Sequence, residues 1–136
     1  MLHISLKFYT FARMKEFLMV GIGSFMGGGL RYLVGKGISL WLGAVTFPLA
    51  TMVVNVVGCF LMGFLWTWLP SASLPPSSRM LLMTGFCGGF TTFSTFVNEN
   101  YLLMRGGQWL LLLLYAAASF LLGMLSFACG YRLGSR

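Results

Sequence analysis

Between residues 85 and 96 the chain reads Gly85-Phe86-Cys87-Gly88-Gly89-Phe90-Thr91-Thr92-Phe93-Ser94-Thr95-Phe96. Three glycines, four hydroxyls and a pair of phenylalanines three residues apart (Phe93 and Phe96) are set in a long apolar stretch. Polar groups at membrane depth are costly unless they line a cavity or meet another protein surface. The segment therefore reads as part of a path. It holds no basic residue to grip a bulky anion, so a passing solute would meet hydroxyls, carbonyls and ring edges. A Phe pair at this spacing is ordinarily core packing, but Thr91, Thr92, Ser94 and Thr95 are more hydroxyls than a core needs. Gly85, Gly88 and Gly89 weaken any helix here by about 1 kcal/mol each relative to alanine, so a helix break is expected at the glycines. Unwound carbonyls at such depth suit a sodium ion.

Other polar residues stand at helical spacing elsewhere. Thr51 and Asn55 are four apart and share a helix face, with Gly58 beside it. Asn55 is either a helix–helix hydrogen-bonding residue or a donor to an anion leaving water; its amide is the only strong side-chain NH donor in the middle of a span. Tyr115 and Ser119 are also four apart. They form either a polar track or a lipid-facing helix with one bonded tyrosine. Two roles fit Arg31 as well, anchorage among headgroups or attraction of anions into a vestibule. Glu99 follows the Phe pair and reads as an interfacial residue, structural or vestibular.

The elements that must carry these residues are membrane helices. Of the 136 residues, 58% are hydrophobic and 8% charged, against about 25% charged in soluble domains. Charge-free runs cover 17–30, 37–78, 80–98 and 106–131. With about 20 apolar residues needed per crossing, four spans are expected, near 17–35, 46–69, 79–104 and 107–131. Pro48 and the Pro70–Pro76 stretch delimit the second. The expected fold is an all-α membrane protein with a broken third helix, comprising an N-terminal tail over 1–16 and one transmembrane domain over 17–133. Gly23 and Gly27 form a small-xxx-small pair that lets another helix come close.

The basic N-terminus followed by an apolar run resembles a signal peptide, but no small-x-small cleavage pattern follows, so a retained first helix is expected. With four spans, Lys7, Arg13, Lys15, Arg79, Arg132 and Arg136 share one side of the membrane, against Arg31, Lys36 and Arg105 on the other. That favours termini in the cytoplasm. Initiation at Met14 would remove Lys7 and Arg13 from the count and leave four against three, almost no preference. N-terminal sequencing of the natural protein distinguishes the two.

Several classes of function are excluded. The net charge of +7 is scattered over termini and loops, which suits anionic headgroups and not nucleic acid. Asp is absent, His3 is the single histidine, and Glu16 and Glu99 are the only carboxylic side chains. Paired-carboxylate or histidine-based catalysis has no residues to use, and no phosphate loop is present. Cys59, Cys87 and Cys129 fit no metal spacing and read as small apolar packing residues.

The segments Gly28-Gly29-Leu30-Arg31-Tyr32, Thr51 to Gly58 and Gly85 to Phe96 resemble the Fluc (CrcB-type) fluoride channels of bacteria, over about Met14 to Leu133. The resemblance implies an antiparallel, dual-topology homodimer in the bacterial inner membrane, with two fluoride pores and passive export. It implies a structural sodium ion at the dimer centre, held by carbonyls of Gly88 and Thr91. Phe93, Phe96, Asn55 and Tyr115 map to pore positions, Ser119 to the polar track, and Arg31 to the vestibule; Thr51, Thr92, Ser94 and Thr95 are further hydroxyl candidates. The chain departs from the family in its 13-residue N-terminal stretch and at Gly123, where a hydroxyl would continue the track. The competing reading is a small dual-topology proton-coupled drug exporter. It would need a titratable carboxylate at mid-membrane depth, and neither glutamate is placed for one. A non-transporting assembly protein would leave Asn55 and the hydroxyl cluster without a use.

Overall fold

The computed structural model describes residues 2–43 and 46–136, with side chains from Arg13 onward. It is helical throughout: α1 (Leu2–Leu42), α2 (Leu49–Ser71), α3 (Pro76–Arg79), a π-helical stretch (Met80–Cys87), α4 (Gly88–Phe90), α5 (Phe93–Arg105) and α6 (Trp109–Gly134). Among the described residues, four stretches are long and apolar enough to cross a membrane: Arg13–Leu42, Leu49–Ser71, Pro76–Arg105 and Trp109–Gly134. The chain is a multi-pass membrane protein.

The first helix runs longer than the expected span. Its 41 residues amount to about 60 Å at 1.5 Å per residue, roughly twice a hydrocarbon core. Nothing between Arg31 and Leu42 breaks a helix. The stop comes at Gly43, whose φ of +69° is the left-handed conformation in which helices commonly terminate.

Two close helix crossings organise the subunit. Gly23 and Gly27 of α1 face the π-helical stretch so closely that a Cβ on either would strike a carbonyl, of Leu81 and Phe86 respectively. From the other side, a Cβ on Gly85 would lie 2.8 Å from the Val20 carbonyl oxygen, and one on Gly89 2.6 Å from that of Ser24. In the second crossing, Gly63 of α2 abuts the Phe127 carbonyl and Gly130 of α6 that of Phe60. Small residues permit such approach where hydrophobic driving force is weak.

The third span is interrupted, but not where its glycines stand. The helix runs through Gly85, Gly88 and Gly89, and the extended backbone falls at Thr91 (φ −79°, ψ 156°) and Thr92 (φ −148°, ψ 114°). Gly85 and Gly89 are needed for contact with α1, which overrides their low helix propensity. Among the described residues the buried hydrophobic core is small (Val54, Leu69, Cys87, Phe90, Leu103 and Tyr115), and large apolar side chains are exposed on every span.

Candidate functional site

The site is built on the two residues of the break. Thr91 closes the first half-helix, with its backbone NH (3.0 Å) and its hydroxyl (2.9 Å) both donating to the Cys87 carbonyl. Thr92 opens the second as the N-cap of α5. Its Oγ1 accepts from the Thr95 amide at 3.4 Å and donates to the Thr95 hydroxyl at 2.9 Å, the side-chain-to-backbone bond that helix N-termini favour. Asn55 of α2 holds the same residue from outside. Its Oδ1 accepts the Thr92 amide at 2.9 Å and its Nδ2 donates to the Thr92 carbonyl at 3.2 Å.

These bonds release two carbonyls. In a continuous helix the Thr92 amide would serve the Gly88 carbonyl and the Thr95 amide that of Thr91; here the first goes to Asn55 and the second to the Thr92 hydroxyl. The Gly88 and Thr91 oxygens are thereby left as neutral hard donors, the ligand type that suits an alkali cation.

A second polar cluster lies where α5 faces α2 and α6. Both oxygens of Glu99 accept hydroxyl hydrogen bonds, Oε1 from Thr51 at 2.6 Å and Oε2 from Tyr115 at 2.7 Å. Thr51 is in the first turn of α2, whose amino end carries partial positive charge, so the carboxylate sits with favourable sign. Tyr115 is fully buried, and its ring links the cluster to the phenylalanines. Phe96 packs against it at a centroid distance of 5.2 Å, and Phe47 meets it edge-on at 5.5 Å. Phe93 continues the row 6.0 Å from Phe96 and is 77% exposed on the subunit surface. Arg31 lines a cavity of about 100 Å³ with Gly35, Ala50, Thr51, Val54, Thr92 and Thr95.

The model of the family described as "CrcB-like protein, Camphor Resistance (CrcB)" matches residues 18–131. The chain belongs to this family. Among CrcB-like relatives, a "Fluoride-specific ion channel FluC" of Chlorobium phaeobacteroides is 45% identical over 121 residues, 87% of this chain and 91% of the relative. Proteins of the same name from Chlorobaculum tepidum (48% identical; 78% of this chain, 83% of the relative) and Gloeobacter violaceus (39%; 86% and 94%) are similar along comparable lengths. Proteins so named are channels and not enzymes.

In this CrcB-like chain the residues singled out from the sequence divide into groups. Asn55, Thr91, Thr92 and Thr95 meet at the break, while Thr51 and Tyr115 meet at Glu99 and Phe96 packs on Tyr115. Arg31 joins both groups through its cavity. Ser94 is exposed on the subunit surface. Ser119 lies one turn beyond Tyr115, its Oγ buried without a hydrogen-bond partner among the described residues. Gly123, a further turn on, is buried, and a Cβ there would meet Cys59 Sγ at 3.5 Å.

Two assignments become specific. Asn55 is engaged by both ends of its amide with the backbone of Thr92, so it holds the break as well as standing beside it. Glu99, the seventh residue of α5, takes the structural of its two readings and ties three helices together. Phe47 was not legible as a site residue; a buried tyrosine needs an acceptor and packing partners, but nothing in the spacing points to this one.

Proposed function

We propose that the chain is a subunit of a fluoride-selective channel of the bacterial inner membrane, which lets fluoride leave the cell down its electrochemical gradient. The observation that carries this reading is a break held open by Asn55, in a chain whose relatives bear the name of fluoride-specific channels. Fluoride is small and strongly hydrated, so its dehydration must be offset by close donors. The unused NH of Asn55, the hydroxyls of Ser94, Thr95 and Ser119, and the positive edges of Phe93 and Phe96 supply them. Thr51 and Tyr115 already donate their single O–H to Glu99, and Thr92 donates its own to Thr95. Arg31 gathers the anion in a vestibule.

The assembly we propose is an antiparallel homodimer of dual topology with two pores. Phe93, so exposed on one subunit, then lies where a second copy completes the path. The Gly88 and Thr91 carbonyls would hold a sodium ion at the centre, supported by their release from helical hydrogen bonds. Bound there, the ion supplies fixed positive charge and neutralises the carbonyl dipoles of the break. Glu99, held by two hydroxyls beside the first turn of α2, is not the mid-membrane carboxylate that a proton-coupled exporter requires.

The test is fluoride release from liposomes containing this chain alone, followed with a fluoride electrode and compared with chloride. Rapid, fluoride-selective release is expected. Absence of release would reject a homo-oligomeric channel, and equal chloride release would reject selectivity.

A further inference from the structure

Asn55 is one of two points at which α2 shapes the break, and the second is not a hydrogen bond. Three residues along, Gly58 is buried against Thr91. A Cβ built on Gly58 would occupy the place of the Thr91 Cγ2 methyl. Its next neighbours, Phe90 Cδ1 at 3.4 Å and Thr91 Cβ at 3.6 Å, leave room. The conflict is thus confined to one methyl group.

That methyl has nowhere else to go. The Thr91 hydroxyl is committed to the Cys87 carbonyl at 2.9 Å, and the Thr91 amide to the same oxygen at 3.0 Å. With Oγ1 and the backbone both fixed, the stiff β-branched side chain has one orientation available. Moving the methyl requires either breaking the hydroxyl bond or turning the Thr91–Thr92 peptide. That peptide contains the Thr91 carbonyl and the Thr92 amide, the latter held by Asn55 at 2.9 Å.

We propose that Gly58 is a positioning residue: by lacking a side chain it seats the Thr91 methyl and so sets the direction of the Thr91 carbonyl and the register of the Asn55 contact. The consequence for sodium rests on the reading given under Proposed function; the Gly58–Thr91 contact does not. The structure also supplies the compensating change. Serine at 91 deletes Cγ2 and keeps the hydroxyl, so it should accept a Cβ at 58.

The experiment compares wild type, G58A, T91S and G58A/T91S as full chains. Fluoride efflux from liposomes is one readout; the rise in melting temperature when sodium replaces N-methyl-glucamine in detergent is the other. G58A is expected to lose at least tenfold in efflux and most of the sodium-dependent rise, and G58A/T91S to return to the level of T91S alone. Wild-type behaviour of G58A, or a double variant no better than G58A, would overturn the proposal. If G58A does not assemble, assembly of G58A/T91S supports it and failure of both overturns it. A wild type that melts identically with and without sodium would sink the sodium reading, while the efflux rescue would still decide the role of Gly58.

Discussion

Asn55 and Thr92 are joined by two hydrogen bonds of opposite sense, Thr92 donating its amide and accepting at its carbonyl while the Asn55 side chain does the reverse. An amide side chain can do this because it carries a donor and an acceptor on one rigid plane. The pair mimics a backbone ladder, and it satisfies the amide and the carbonyl of a residue whose two flanking peptides would otherwise each have an unpaired group inside the membrane, where each such group costs several kcal/mol. Holding a helix open and offering one remaining NH beside the break are therefore two uses of one residue.

Replacing Asn55 separates these uses. Asn55→Asp keeps the acceptor for the Thr92 amide but sets a carboxylate against the Thr92 carbonyl; Asn55→Ala removes both partners. Leaving a buried polar group unpaired costs about 1–3 kcal/mol, so the alanine variant should melt lower. Efflux should fall sharply in both, further in the aspartate variant because its charge opposes an anion. Aspartate and wild-type channels of equal efflux in the liposome assay would reduce Asn55 to a helix contact.

Phe93 and Phe96 should respond differently to isoleucine. Phe93 is largely exposed on the subunit, so Phe93→Ile should leave subunit stability within about 0.5 kcal/mol. Phe96 packs against Tyr115 at 5.2 Å, and losing that aromatic pair should cost about 1 kcal/mol. On the proposed function, both should lose most of the fluoride efflux while the oligomeric state on size exclusion stays that of the wild type. Unchanged efflux in either would remove the ring-edge argument for that residue.

Thr51 and Tyr115 act through one carboxylate and should not be independent. Tyr115→Phe deletes the hydroxyl on Oε2, and Thr51→Val that on Oε1. Either change leaves Glu99 one donor, whereas both leave it none. Neighbours in one network couple by about 0.5–3 kcal/mol, so the double variant should lose more stability than the two single losses together. Additive losses in a denaturation cycle would show that Glu99 does not join them.

The spans were legible because charge is excluded from them: α6 begins and ends close to the limits of its charge-free run, whereas α2 is far shorter than its own and is set by Pro48 at its start and the Pro70–Pro76 stretch at its end. The length of α1 was not, since Arg31 and Lys36 look like a boundary yet do not break a helix. Gly23 and Gly27 were legible as a close-approach pair. Gly85 and Gly89 were misread for a physical reason: glycine signals both helix weakness and close approach, and only the partner helix decides which. The break was assigned to them, while the side chains that make it, Asn55 and Thr92, lie 37 residues apart. The interfacial, structural reading of Glu99 agrees with its hydrogen bond to Thr51 in the first turn of α2; its two hydroxyl partners were not legible, because they stand on other helices.

The same glycines offer a test of what lies outside the subunit. Gly85 is closed in by Val20 and Gly23, whereas a Cβ on Gly88 meets nothing within 4 Å. In an isolated subunit Gly88→Ala should therefore be harmless, even helpful by up to about 1 kcal/mol through helix propensity. Gly85→Ala should destabilise by pushing α1 from the π-helical stretch, and should lower the melting temperature whatever the assembly. If a second copy packs over the break, its surface covers Gly88 and the order changes: Gly88→Ala should weaken the dimer or its sodium response while the monomer stays folded. Measuring monomer–dimer equilibrium for both variants in detergent, with and without sodium, decides it. A Gly88→Ala protein that dimerises as wild type and keeps its sodium response would place the subunit contact elsewhere and remove the Gly88 carbonyl from the proposed ion site.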